Sequence, residues 1–381
     1  MSSLILTNEA ARRVAQGERW LSESDVVGRK HRLPGVVRLL TRRRAFAATA
    51  FASPGSRIYL RVIGTKDEPV DRAFWTERVR RAFERRRRLF ETTDAFRVVH
   101  AEADGIPGVV IDKYNDVWSI QVTSAGAETV KRLLTEIIAG EFSPASVVEK
   151  NDTPARNNEG LSTENRVAFG VKSSTIVREA GEGFEVDVLA GQKTGAYLDY
   201  RAFRTKGAEL ARGRSLDLFC YQGWFSCRIA GSARSVTAVD SSAAAVEAAR
   251  RNAERNGHRN ISCVRSDALD YLSACGDSFD FIHLDPPSYA KGRRGLMPAL
   301  SGYAKLLSLA IPRLAAGGTL MVSACSHAIT ERLLEESLFK AMRTAGRDGD
   351  VIYRGAQDSD HPMLPGHPES LYLKAVAARV V

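Results

Sequence analysis

The chain reads as an α/β protein: a doubly wound parallel sheet fills the last half, after a β-rich N-terminal domain and a central α+β domain. Three observations predict this. From Gly195 onward short apolar runs alternate with amphipathic helical stretches, the pattern of buried parallel strands joined by crossover helices. The first 66 residues instead hold short apolar runs separated by arginine-rich and Pro-Gly turns. A length of 381 residues exceeds what one hydrophobic core organises, so two or three domains are expected. The boundaries are placed at 1–66, 67–190 and 191–381.

In the first domain, strands at Val36–Leu40 and Ala45–Ala50 flank Arg42-Arg43-Arg44. Ser53-Pro54-Gly55-Ser56 marks a turn before a strand at Arg57–Ile63. An arginine triplet at a hairpin tip suits phosphate contacts, and a solvated turn explains it too. Over Asp71–Phe90 helical spacing puts Trp75, Val79, Ala82, Phe83 and Phe90 on one face. Arg78, Arg81, Arg85, Arg87 and Arg88 fall mostly outside it, as a second polyanion-contacting surface or a plain solvated face. Strands follow at Phe96–Val99, Val109–Ile111, Val117–Val122 and Ser146–Glu149, with a helix at Glu128–Ile138. Thr175–Val188 reads as a hairpin around Gly181-Glu182-Gly183.

The last domain has strands at Ser215–Phe219, Ser235–Val239, Ile261–Val264, Phe279–Leu284 and Gly318–Ser323. Helices lie between them at Ser242–Asn256 and Tyr303–Leu314. Leu371–Ala377, with no helix after it, is expected as an antiparallel edge strand.

Charge is uneven. Residues 1–66 carry 13 Lys+Arg against 4 Asp+Glu, and residues 67–90 carry 8 against 5, out of a net charge of +10. A polyanion-binding front on a nearly neutral body is the reading favoured over solubility alone. No stretch approaches the ~20 apolar residues that span a bilayer, and Met1–Arg13 lacks a secretory h-region, so a cytoplasmic protein is expected. Five cysteines without a C-x-x-C pair or Cys/His cluster point to neither a disulfide framework nor a metal site.

The first strand of the doubly wound sheet runs into Leu216-Asp217-Leu218-Phe219-Cys220-Tyr221-Gln222-Gly223, where a glycine lets backbone approach a ligand at the carboxyl end of the sheet. Asp240 ends the second strand, 23 positions after Asp217, at the offset where a carboxylate meets ribose hydroxyls. Asp267 ends the third, where an acid can accept from an adenine amino group. A helix N-cap explains any one of these aspartates alone. Three at successive strand ends argue for a nucleotide-like cofactor.

The order D-x-F-x-x-x-G, Ala238-Val239-Asp240, Ser266-Asp267-Ala268 and Asp285-Pro286-Pro287 resembles class I S-adenosylmethionine-dependent methyltransferases, with their Rossmann-like sheet. Four further stretches narrow the resemblance: Ala103-Asp104-Gly105-Ile106-Pro107-Gly108-Val109-Val110-Ile111-Asp112, Lys193-Thr194-Gly195-Ala196-Tyr197-Leu198-Asp199, Ser323-Ala324-Cys325-Ser326-His327 and Glu369-Ser370-Leu371-Tyr372-Leu373-Lys374. Together they look like the bacterial large-subunit ribosomal RNA cytosine-C5 methyltransferases, a resemblance that runs from about Glu102 to the end. It implies an N-terminal PUA-like RNA-binding domain, S-adenosyl-L-methionine as cofactor and 23S ribosomal RNA, or a large-subunit precursor, as partner. Lys193, Tyr197 and Asp199 would then lie by the methionine end of the cofactor, with Asp217, Phe219 and Gly223 as its cradle. Two positions depart from the family: Trp224 stands where a small residue usually follows the motif glycine. Gln16-Gly17-Glu18-Arg19-Trp20 keeps only the Gly and Trp of the usual PUA opening. The oligomeric state stays open, a homodimer among the options.

Chemistry is expected at two strand ends. Paired prolines at Pro286 and Pro287 fix the backbone and leave carbonyls aimed into the cleft, with Ser288 and then Tyr289 beyond. Cys325 sits just past the strand Thr319–Ser323. Cytosine C5 is a poor nucleophile, and thiolate addition at C6 would activate it. A second group must then remove the C5 proton. Cys325 is the candidate nucleophile and Asp285 the candidate for holding the base or relaying that proton. A buried structural cysteine is the plainer alternative for Cys325, and Cys220, Cys227, Cys263 and Cys275 read as packing residues. His327, His361 and His367 read as loop histidines that can approach a substrate. Two other functions compete: methylation of a guanine or exocyclic amine, and a cofactor-binding RNA assembly factor without turnover.

Overall fold

The computed structural model describes residues 1–288 and 295–381. The chain divides into two compact units, one formed by Met1–Gly181, Val186–Leu198 and Asp360–Gly366, the other by Glu182–Glu185, Asp199–Ser359 and His367–Val381.

The first unit opens with six strands: β1 (Ser2–Leu6), β2 (Trp20–Leu21), β3 (Val26–Val27), β4 (Gly35–Leu40), β5 (Phe46–Ala52) and β6 (Leu60–Gly64). They form one sheet in the order β2-β6-β5-β4-β1-β3. Sequence reading missed β1, whose Leu4-Ile5-Leu6 pairs in parallel with β4 and antiparallel with β3. The helix Asn8–Ala15 after it is capped by Thr7, whose hydroxyl accepts from the Ala10 N–H at 3.1 Å. β6 starts three residues later than expected because the Pro-Gly turn is longer, closing with Ser53 N–H on the Tyr59 carbonyl at 2.8 Å.

Five more strands, β7 (Ala95–His100), β8 (Val109–Tyr114), β9 (Val117–Val122), β10 (Ser146–Glu149) and β11 (Arg166–Gly170), make a second sheet in the order β11-β10-β9-β8-β7. Its helices, Arg72–Arg85 and Lys131–Phe142, share one core with the first sheet. Phe51 of β5 stacks on Trp75 at 5.6 Å, and a β-carbon on Gly126 would meet the Ala52 carbonyl oxygen at 2.7 Å. Two arginines turn inward here, Arg78 on the first of these helices and Arg86 just past its end. Arg78 donates to the carbonyls of Ile63 and Gly105, and burial lowers its pKa to about 10. Arg86 is buried against Asp104 with two bonds of 2.7 Å. Arg81, Arg85, Arg87 and Arg88 remain exposed.

The Asp360–Gly366 segment is tied into this unit by charge. Arg86 donates to the Asp360 carbonyl and the Arg97 N–H to the Asp360 carboxylate, both at 2.9 Å, and His361 pairs with the same carboxylate at 2.9 Å. His100 lies 5.3 Å from the His361 ring; burial, then the Arg97 charge, holds it well below the usual histidine range. β12 (Ser174–Glu179) and β13 (Glu182–Asp187) form the expected hairpin. Its two turn residues, Ala180 and Gly181, both have positive φ, as a twist-matched two-residue turn requires.

In the second unit seven strands, β14 (Arg214–Leu218), β15 (Ser235–Asp240), β16 (Ile261–Arg265), β17 (Phe279–Leu284), β18 (Leu314–Cys325), β19 (Gly349–Ala356) and β20 (Leu373–Val380), take the order β16-β15-β14-β17-β18-β20-β19. The first five are parallel, as expected for a doubly wound sheet. One expectation is corrected: β20 is antiparallel but not at the edge. The half-exposed β19, too polar to read as a strand, pairs outside it. β14, β17, β18 and β20 are almost wholly buried, and helices Leu296–Ala310 and Glu331–Thr344 pack on the core they form. No helix among the described residues is long and apolar enough to cross a membrane.

Candidate active site

The turn after β14 is backbone under constraint. Phe219, Tyr221 and Gly223 all have positive φ, at 65°, 47° and 76°. Two bonds tie the turn to β15: Cys220 N–H to the Val239 carbonyl at 3.0 Å and Tyr221 N–H to Asp240 at 2.9 Å. A β-carbon on Gly223 would lie 2.8 Å from that of Ala249 on the helix Ala243–Arg255, so glycine is required for space as well as for φ. Trp224 is accommodated because its indole turns into the core. There it stacks on Phe184 at 4.5 Å, with the Arg204 guanidinium 5.1 Å from its ring centre. The aromatic therefore leaves the mouth of the turn clear.

Asp240, half-buried at the end of β15, uses one oxygen for Tyr221 N–H and the other for Ser242 N–H at 2.9 Å. Each oxygen keeps a lone pair for a ligand hydroxyl. Asp267, exposed after β16, caps the helix Ala268–Ala274 through one oxygen, accepting from Leu269 N–H at 2.8 Å. Asp217 has a different geometry from an open ligand group. Its carboxylate is 0% exposed, accepting from the Ser226 hydroxyl and lying 2.7 Å from His283 Nδ1. It links the helix Trp224–Ala230 to β17.

At the ends of β17 and β18, Leu284 is in register with Val322, which brings Asp285 level with Ser323 and two residues short of Cys325. The Ser323 hydroxyl donates to the Asp285 carboxylate. Cys325 is half-exposed. Across the sheet Ala324 faces Lys374, which is 5% exposed and donates to the Ser326 carbonyl at 2.7 Å. Burial lowers the Lys374 pKa below the usual lysine value, and the neighbouring Cys325 pulls it back up. The ammonium of Lys374 thus lies near enough to the thiol for their charges to interact. Burial pushes the thiols of Cys220, Cys227 and Cys263 up, as suits packing residues.

Sequence reading passed over His283 and Tyr200. Tyr200 lies 2.7 Å from His283 Nε2, and burial, then the Asp285 charge, raises its hydroxyl far above the usual tyrosine range. Asp217 and His283 are polar residues within apolar strands, and only the strand register pairs them.

The remaining expected residues fall as follows. Pro286 is buried and Pro287 exposed after β17; Tyr289 lies outside the described residues. Asp199, 2% exposed, accepts from the Tyr372 hydroxyl at 2.8 Å. In the first unit, the exposed Lys193 has its ammonium 4.3 Å from the Tyr197 ring centre, and Tyr197 donates to Gln192. Arg42, Arg43 and Arg44 are exposed at the β4–β5 turn. His361 is no loop histidine open to substrate, being 2% exposed and paired with Asp360. Among the described residues no His, Cys, Asp and Glu cluster suits a metal ion.

Acids at successive strand ends, above a turn that admits no β-carbon, suit a nucleoside with two ribose hydroxyls and an exocyclic amine. Comparison with known proteins agrees. The S-adenosylmethionine-dependent methyltransferase family profile matches residues 127–346 and a PUA-like domain profile matches residues 4–65. Ribosomal RNA large subunit methyltransferase I of Aeromonas hydrophila is 37% identical over 326 residues, 82% of either chain. Its namesake from Shewanella amazonensis is 36% identical over 340 residues, 86% of either chain. A Streptococcus mutans structure assigned as a SAM-dependent methyltransferase shares the fold over the full length of both chains, at TM-score 0.82 and 20% identity.

Proposed function

Because the chain belongs to the S-adenosylmethionine-dependent methyltransferase family, among the relatives of ribosomal RNA large subunit methyltransferase I, we propose that it methylates C5 of a cytosine in 23S ribosomal RNA through a covalent adduct at Cys325. The observation that carries this reading is the thiol of Cys325 at the carboxyl end of β18, coupled to the buried Lys374 ammonium and next to the strand bearing Asp285.

S-adenosylmethionine supplies an electrophilic methyl group when bound. Asp240 would accept its ribose hydroxyls and Asp267 its adenine amine, with Phe219 and Gly223 shaping the cradle. Asp199 would serve the methionine end. On the RNA, the Cys325 thiolate would add to C6, the C5=C6 electron pair would move to C5, and C5 would take the methyl group as the S–CH3 pair stays on sulfur and S-adenosylhomocysteine leaves. Asp285 then removes the C5 proton, the C5–H pair re-forms the double bond, and the C6–S pair returns to sulfur. Pro286 and Pro287 hold the base beside Asp285. Arg42, Arg43 and Arg44 grip phosphate from the PUA-like domain.

Incubation of unmodified ribosomal RNA with isotope-labelled S-adenosylmethionine, followed by nucleoside mass spectrometry, tests the reading. Labelled 5-methylcytidine is expected from the wild type and none from Cys325→Ala. A labelled guanosine or N-methylated base supports the amine alternative, and 5-methylcytidine from Cys325→Ala removes the nucleophile.

A further inference from the structure

We propose that the exposed arginines towards the end of the helix Arg72–Arg85, together with Phe90, form a docking surface for a single-stranded segment of RNA, a role that rests on the proposed RNA substrate. The surface lies outside the PUA-like domain at residues 4–65.

Eight arginines lie between Arg72 and Arg88, and four of them serve the fold. Arg72 pairs with Glu136 at 3.2 Å and Arg80 with Glu141 at 2.8 Å, while Arg78 and Arg86 turn inward. The other four do not. Arg81, Arg87 and Arg88 are exposed and have no carboxylate partner among the described residues. Arg85, also exposed, shares Asp104 with Arg86, which already holds that carboxylate by two bonds of 2.7 Å. Arg81, Arg85 and Arg88 follow one another at four and three positions, the spacing that makes helix side chains neighbours, so their like charges repel. Glu77 and Glu84 form no ion pair with them among the described residues. Such a row is unfavourable by itself and is relieved by an external polyanion.

Phe90 narrows the choice of polyanion. Continued α-helical spacing would bury it with Phe83, seven positions earlier. The helix instead gives way to a tighter turn over Arg87–Leu89, closed by Phe90 N–H on the Arg87 carbonyl at 3.2 Å, in which side chains three apart eclipse. Phe90 therefore stands beside Arg87 and is 42% exposed, while its ring rests on Phe83 and Phe96 at 4.9 and 5.2 Å. A lone exposed aromatic is ordinary. Next to arginines that lack acidic partners, it offers a ring to a base while they take the neighbouring phosphates. A duplex keeps its bases stacked inside and shows the surface little but phosphate and sugar, so a single strand fits better.

Fluorescence anisotropy on the full chain tests this, with a labelled single-stranded RNA of about 12 nucleotides and the same strand annealed to its complement. Replacing Arg81, Arg85, Arg87 and Arg88 by Ala should weaken both probes and flatten the single-strand dependence of log affinity on log salt by about 0.7 per phosphate released. Phe90→Leu keeps apolar packing on Phe83 and Phe96 but lacks a π-face. It should weaken the single strand roughly 5- to 100-fold, with the duplex within about twofold and the salt slope unchanged. Phe90→Trp should restore the single strand. S-adenosylhomocysteine affinity by calorimetry should stay at the wild-type value, and a variant that loses it along with RNA counts against a docking role. A wild-type slope in the arginine variant, or equal loss of both probes in Phe90→Leu, overturns the surface. If the wild type forms no 5-methylcytidine yet the variants lose the single strand as stated, the surface stands and the cytosine-C5 reaction falls.

Discussion

Gly223 sits against Ala249 so closely that a β-carbon on the glycine would lie 2.8 Å from the alanine's own. The approach presses the helix Ala243–Arg255 onto the turn after β14. Gly223→Ala combines that overlap with a φ of 76°, and overpacking of this kind costs about 1–3 kcal/mol. A lower melting temperature and weaker binding of S-adenosylhomocysteine by calorimetry are expected. Wild-type affinity in the variant would show that the turn has no part in the cofactor site.

Lys374 sets an upper pH limit. The proposed mechanism pairs a Cys325 thiolate with the Lys374 ammonium, and burial lowers the pKa at which that ammonium is lost. Activity should therefore decline on the alkaline side at a lower pH than an exposed lysine would allow. Lys374→Gln should reduce kcat at every pH and erase that limb. An unchanged pH–rate profile in Lys374→Gln would separate this lysine from Cys325.

The Arg42-Arg43-Arg44 tip should act on RNA through charge. Replacing all three by Ala is expected to weaken RNA binding and to flatten the dependence of log affinity on log salt by roughly 0.7–0.9 for each phosphate left unneutralised. Cofactor affinity should not move. Fluorescence anisotropy across a salt series reads both quantities, and an unaltered slope would return the triplet to a solvated turn.

Acid stability should depend on Glu149. Burial raises its pKa, but hydrogen bonds from Arg166 and Lys131 outweigh this and bring it from 4.5 down to about 2. The folded value lies below the unfolded one, so the stabilisation is complete above about 4.5 and lost as pH falls towards about 2. Glu149→Gln should remove on the order of 2 kcal/mol near neutral pH and narrow the gap to wild type in acid. Melting curves at pH 7 and pH 3 with equal differences would contradict it.

The doubly wound sheet was legible because β14, β15 and β17 are short apolar runs, and such runs report burial on both faces. β19 was not, since its residues are half-exposed and its pairing with β20 is set by tertiary packing. Helical spacing placed Trp75 and Val79 correctly, yet it could not show Arg86 folding inward. Its partners Asp104 and Asp360 lie 18 and 274 positions away. In the site, the strand-end acids announced themselves by position. His283 did not, because a histidine in a buried strand has meaning only once the register sets it beside Asp217.

The bonds that hold Asp360 have a consequence for synthesis. The first unit includes a segment encoded far downstream, between β19 and β20. As the chain leaves the ribosome, Arg86 and Arg97 emerge long before the Asp360 groups that accept their hydrogen bonds. That unit finishes folding only after most of the second has been translated. No single cut separates the two, so an N-terminal fragment ending near Leu198 would carry the basic surface without its last fastening.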